Sequence, residues 1–130
     1  MEERNTTAGV AIKEDKVLVA RRAKGGPLSD MWEFPGGKNR YGETIEETLK
    51  REWAEELGIE IAVGDFLLQV DFTNKDTRYH LMCHLVEPLS DSFSLLFHQE
   101  LKWVDKSELS ALQFGPSDQK IRDFIALKLL

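Results

Sequence analysis

The chain has 130 residues, a formal net charge of −6 and the 42% hydrophobic content of an ordinary globular protein. That length suits one compact domain, residues 1–130, with a real core. The acidic balance, with no Lys/Arg-rich stripe, excludes a nucleic-acid polymer as main partner, though not a small phosphorylated ligand, because metal ions bridge two anions. The single cysteine, Cys83, rules out an internal disulfide and fits a reducing, cytoplasmic setting. The first residues, MEERNTT, are polar and do not read as a signal peptide, and no apolar run approaches membrane-spanning length.

In chain order, Thr7 to Ile12 alternates as a strand, with Ala8, Val10 and Ile12 on one face. Val17 to Ala20 is a second strand, and Glu14-Asp15 between them predicts a hairpin. Arg21 and Arg22 lie at its end, on opposite faces, so at most one points at a common site. Ala23 to Ser29 is a loop broken by Gly25, Gly26 and Pro27, and Met31 to Phe34 is a short strand ended by Pro35-Gly36. A helix follows over 44–57. Thr44 is its N-cap, Glu47 completes a capping box and Gly58 stops it. Strands are expected over Glu60–Val63, Phe66–Phe72 and Arg78–Val86, with a turn at Asn74-Lys75-Asp76 and a loop over Pro88–Ser94. Glu100–Val104 is the last strand. Ser107 caps a short helix through Leu112, and Ser117 caps the final one, in which Ile121, Phe124, Ile125 and Leu129 share a face. Strands mixed with two main helices indicate an α+β fold, an α/β/α sandwich on a mixed sheet.

The helix over 44–57 is unusual. At about 100° per residue, Ile45, Leu49, Trp53 and Leu57 form one apolar stripe, with Glu56 inside it and Glu52 on its edge. These two carboxylates are one turn apart, roughly 6 Å, and repel by on the order of 3 kcal/mol at an effective dielectric of about 20. A bound cation would relieve that repulsion, and oxygen-only ligands favour Mg²⁺, Mn²⁺ or Ca²⁺. A merely solvated acidic helix is the competing reading. Zinc at His80 and His84 lacks the further ligands it would need.

Gly37, Glu43 and the run Arg51-Glu52-Trp53-Ala54-Glu55-Glu56-Leu57-Gly58-Ile59 are spaced as in the Nudix box, and the chain resembles the Nudix family on that pattern. The one departure is Trp53, at a position that is usually aliphatic. The upstream run Trp32-Glu33-Phe34-Pro35-Gly36-Gly37-Lys38, with Arg21-Arg22, narrows the resemblance to MutT-type members. It implies a Nudix sandwich and Mg²⁺-dependent (Mn²⁺ as alternative) cleavage of a (deoxy)nucleoside triphosphate, oxidised forms such as 8-oxo-dGTP included, to monophosphate and pyrophosphate. Metal would be held by Glu52, Glu55 and Glu56 with a free Gly37 carbonyl. Arg51 would orient the carboxylates, and Glu52 or Glu100 would activate water, with His98 a rival to Glu100. Arg22, Phe34, Lys38 and Asp118 would contact the substrate; of the Asn or Asp often found near 118, Asp rather than Asn changes the hydrogen-bond code offered to a base. A nucleoside diphosphate linked to another group, such as ADP-ribose, is the alternative substrate, although the Pro or Tyr expected beyond the box is absent from Asn74-Lys75-Asp76-Thr77. A non-catalytic nucleotide sensor would fit a degenerate box, and this box is intact. The resemblance leaves monomer and homodimer both open.

Overall fold

A computed structural model describes residues Met1–Leu130. Its elements are β1 (Glu2–Val10), β2 (Ile12–Lys13), β3 (Lys16–Arg21), β4 (Trp32–Glu33), α1 (Ile45–Leu57), β5 (Ile61–Asn74), β6 (Thr77–Pro88), β7 (Glu100–Val104), α2 (Lys106–Ala111) and α3 (Pro116–Lys128). This is the mixed α+β sandwich expected. One sheet has the order β1-β6-β5, with β1 parallel and β5 antiparallel to β6; the other has β3 between β7 and the pair β2 and β4.

Helices cover the sheets on both sides, so adjacent residues of a central strand enter different cores. Val17 and Val19 pack with Val104, Ile121 and Ile125, whereas Leu18 between them packs with Leu49, Trp53 and Leu57 of α1. All of these side chains are fully or almost fully buried. Uninterrupted apolar runs are what a strand covered on both faces requires.

The Glu14-Asp15 hairpin is present, both residues having positive φ as a two-residue type I′ turn demands. Its first arm is only Ile12–Lys13, however, and the longer upstream strand pairs in parallel with β6, Ala8 opposite Cys83. The strands expected over 60–63 and 66–72 are one strand, β5, with register irregularities between Val63 and Leu68. Thr44 and Glu47 form the reciprocal capping box, and Gly58 closes α1 with φ 62°. Two caps differ from expectation. Asp105 rather than Ser107 caps α2, and α3 starts on Gly115 with Pro116 in its first turn rather than on Ser117.

Trp53 explains its own departure from the box. The indole is fully buried and its Nε1 donates to the Pro35 carbonyl at 3.0 Å. The same carbonyl accepts the Gly9 N–H at 2.7 Å. A Cβ at Gly9 would stand 2.6 Å from the indole nitrogen, so the large ring is accommodated by a missing side chain opposite. The Pro35–Lys38 turn is thereby fixed against β1, and Thr6 bridges to Lys38.

Candidate active site

That turn forms one wall of a cleft of about 640 Å³, within the range of small-ligand sites. Glu52 and Glu56 from α1, Arg22 just after β3, Glu33 from β4, Phe34 and Gly36 to Lys38 from the turn and Asp118 from α3 all line it. A larger cleft, about 820 Å³, lies between β2, the start of β5 and the end of β6, and it contains none of the box residues.

Glu43 and Arg51 make a closed network on the outer side of α1. Arg51 donates through Nε and Nη2 to Glu43 at 2.6 and 2.9 Å, through Nη1 to Glu52 and Glu55 at 2.8 and 3.3 Å, and to the Lys38 carbonyl at 3.0 Å. Glu43 also accepts from the Arg40 N–H and the Thr48 hydroxyl. The Arg51 hydrogen bond, with these further donors, brings the Glu43 carboxyl down to about 2. Its oxygens are fully used, and its role is to hold Arg51, which in turn fixes Glu52. Gly37 lies beneath Glu52 so closely that a Cβ there would fall 2.6 Å from its carboxylate oxygens.

Glu56 is the opposite case. It is 5% exposed, and its Oε1 has no hydrogen-bond partner. Burial raises its carboxyl far above the usual range, and a hydrogen bond with Glu52 and the charges of Glu33, Glu52 and Glu55 act in the same direction. The imidazole of His98, whose side chain is fully buried, stands beside it: Nε2 is 2.8 Å from Glu33 Oε2 and 3.5 Å from Glu56 Oε1. One ligand atom from each of Glu33, Glu56 and His98 lies within 4.8 Å of the others, a spacing that one ion can span. Glu33 is already engaged by Arg22 and His98, so it is the orphaned, buried Glu56 oxygen, with the Glu52 carboxylate in the same cleft, that fits a divalent cation.

Some of the expected residues lie at the cleft and others are turned away from it. Arg22 reaches the cleft and donates through Nη1 to Glu33 at 2.9 Å, while Arg21 turns toward Asp30 and Glu100. Phe34 lines the cleft and stacks on Phe114 at 5.3 Å, and the Lys38 ammonium lies over the Tyr79 ring. Asp118 accepts the Phe34 N–H at 3.1 Å, and burial lifts its carboxyl to about 7. Glu55 stays on the outer edge, half exposed, and does not line the cleft. The Gly37 carbonyl is not free: it accepts both the N–H and the hydroxyl of Thr7 at 2.9 Å. The Gly36 carbonyl beside it accepts no hydrogen bond from the protein. Glu100 is directed at Arg21 and is absent from the cleft; from the loop before β7 it is Phe97 that lines the cleft, while His98 is buried against Glu33 and Glu56. Glu33 carried a signal that sequence reading passed over, a carboxylate alternating with two core aromatics, Trp32 and Phe34.

The NUDIX domain model matches residues 3–126. The chain belongs to the Nudix family. Among curated relatives of this Nudix chain, a protein named putative 8-oxo-dGTP diphosphatase 2 from Mycobacterium tuberculosis is 37% identical over 86% of the chain and 80% of that protein. The 8-oxo-dGTP diphosphatase of Buchnera aphidicola is 39% identical over 95% and 94%. The CTP pyrophosphohydrolase of Escherichia coli is 30% identical over 93% and 90%. Among solved structures, that of the E. coli ORF135 protein superposes with a TM-score of 0.88 at 28% identity, over 99% of this chain and 93% of the other.

Proposed function

We propose that the protein is a metal-dependent pyrophosphohydrolase that cleaves a (deoxy)nucleoside triphosphate to the monophosphate and pyrophosphate. The observation that carries this reading is Glu56, a buried carboxylate with an unpartnered oxygen, sharing one cleft with Glu52, Arg22 and Lys38. The relatives support the reaction class, and their two base types, an oxidised guanine and cytosine, define the substrates to compare.

Glu56 and Glu52 would hold the cation, Mg²⁺ or alternatively Mn²⁺, with Glu55 at the outer edge of the site. Such an ion supplies charge neutralisation on phosphate oxygens and lowers the pKa of a bound water. Glu52, held by Arg51, would orient or deprotonate the attacking water. Arg22 and Lys38 bring positive charge to the triphosphate, which the net charge of −6 does not otherwise provide. Phe34 and Phe72 supply apolar wall. Asp118 keeps one oxygen on the Phe34 N–H and leaves the other for a base edge; near its pKa of about 7 it offers both donor and acceptor forms. With no helix long and apolar enough to cross a membrane, a cytoplasmic nucleotide pool is the setting we propose.

The test is Mg²⁺-dependent turnover of a panel containing canonical (d)NTPs, 8-oxo-dGTP, CTP and ADP-ribose. Pyrophosphate release from a triphosphate is expected. Turnover of ADP-ribose alone, giving two phosphorylated fragments, would contradict the substrate class.

A further inference from the structure

The tripeptide Phe97–Gln99 before β7 grips Arg22 at both ends. On the backbone side, the Gln99 N–H donates to the Arg21 carbonyl at 3.0 Å, and the Gln99 amide donates to the Arg22 carbonyl at 2.8 Å. On the side-chain side, His98 holds Glu33, and Glu33 holds the guanidinium. Both Glu33 oxygens are committed: Oε1 accepts from Arg22 Nη1 at 2.9 Å, and Oε2 faces His98 Nε2 at 2.8 Å. The Glu33 side chain is only 13% exposed and that of His98 is fully buried, whereas the Arg22 side chain is 37% exposed. The anchor is therefore rigid and the anchored group faces the cleft.

A carboxylate this buried is expensive unless paired, so pairing alone could explain the cluster. Three features exceed what pairing needs. Glu33 engages only Nη1, and a guanidinium has five N–H donors, so most remain free to meet an anion. The bond from Glu33 tethers the guanidinium at the cleft, which removes rotamer entropy that substrate binding would otherwise have to remove. The same short loop also fixes the peptide that bears Arg22, through a glutamine whose side chain donates to the Arg22 carbonyl.

We propose that Glu33, His98 and Gln99 are positioning residues for Arg22, together presenting its guanidinium to the anionic substrate. The inference rests on the reading of Arg22 as a substrate contact. It assigns the loop before β7 a role in substrate binding in place of the catalytic glutamate expected there. Because the group being oriented binds substrate and does not react, its loss falls on KM rather than kcat.

The test is steady-state kinetics with 8-oxo-dGTP and with CTP on Arg22→Gln, Glu33→Gln and their double variant, plus His98→Gln and His98→Ala. Arg22→Gln and Glu33→Gln should each raise KM about 10-fold with kcat within about 3-fold, and the double variant should match Arg22→Gln within about 2-fold, since the pair acts as one unit. His98→Gln, whose amide nitrogen can reach the same Glu33 oxygen, should retain more of the wild-type KM than His98→Ala. If Arg22→Gln raises KM while Glu33→Gln does not, or if the two effects multiply in the double variant, the positioning role is overturned and the Arg22 contact stands. If Arg22→Gln leaves KM unchanged, or if neither nucleotide is turned over, the substrate reading fails and the positioning role fails with it.

Discussion

Two groups of carboxylates flank the same helix, and they are built in opposite ways. On the outer side, Glu43 is held by Arg51, which also reaches Glu55, and every Glu43 oxygen has donors. On the inner side, Glu56 is almost fully buried, has no guanidinium or ammonium partner, and leaves Oε1 without a hydrogen bond. Arginine neutralises the first group permanently. The second has no arginine or lysine to stabilise its ionised form, which burial and the neighbouring carboxylates disfavour, and a divalent cation would supply that charge. Counting acidic residues along α1 would treat the two groups alike; partner geometry separates a scaffold from a seat for metal.

The sharpest way to test that contrast is Glu56→Gln. It should lower turnover by at least about 10³-fold, on the order of 4 kcal/mol in barrier height, because it removes the buried anion on which the cation depends. The metal-free protein should respond in the opposite sense. A carboxyl whose folded-state pKa is raised stabilises the fold fully below its ordinary value of 4.5 and loses that contribution as pH rises through the raised value. Metal-free Glu56→Gln should therefore exceed wild type in urea midpoint at about pH 8, with the gap closing toward about pH 5. A wild type that stays the more stable at the higher pH would show that the inner site is compensated after all.

Arg51→Lys probes the outer network. A lysine cannot serve Glu43, Glu52 and the Lys38 carbonyl together, and turnover should fall about 10- to 100-fold as Glu52 loses its orientation. Metal titrations of that variant should still show binding at Glu56. Trp53→Leu tests the shared support beneath both groups. Loss of ring volume and of the bond to the Pro35 carbonyl should reduce stability by about 2 kcal/mol, read as a shifted denaturation midpoint, with a smaller effect on turnover. Asp118→Asn should have the mildest effect. Wild-type KM should change across neutral pH as the carboxyl, with its pKa of about 7, passes from donor to acceptor-only, and the asparagine variant should give a flat profile.

How much of this was legible beforehand follows from locality. The capping box, the Gly58 stop and the buried place of Glu56 depend on residues within one helix, and periodicity alone locates them. The pairing of β1 with β6 joins residues more than 70 positions apart, and nothing in the local alternation of Thr7–Ile12 selects it over a hairpin. The same limit applies to the site. Glu52, Glu55 and Glu56 share one helix and are close in sequence, whereas Glu33 and His98 meet only through the fold. Glu100 and His98 are two residues apart, and only the register of β7 on β3, which sets Glu100 opposite Arg21, separates them. The Gly37 carbonyl was expected to be free because Thr7, its partner, lies 30 residues upstream.

The central claim is that Glu56 is the anion on which the metal depends and that Glu43 is scaffold. Its most direct test is Mn²⁺ binding, followed by the electron paramagnetic resonance signal of free Mn²⁺, in wild type, Glu56→Gln and Glu43→Gln. The account predicts that Glu56→Gln weakens binding by well over about 10-fold and that Glu43→Gln retains it within about that factor. Wild-type affinity in Glu56→Gln, or loss confined to Glu43→Gln, would contradict it.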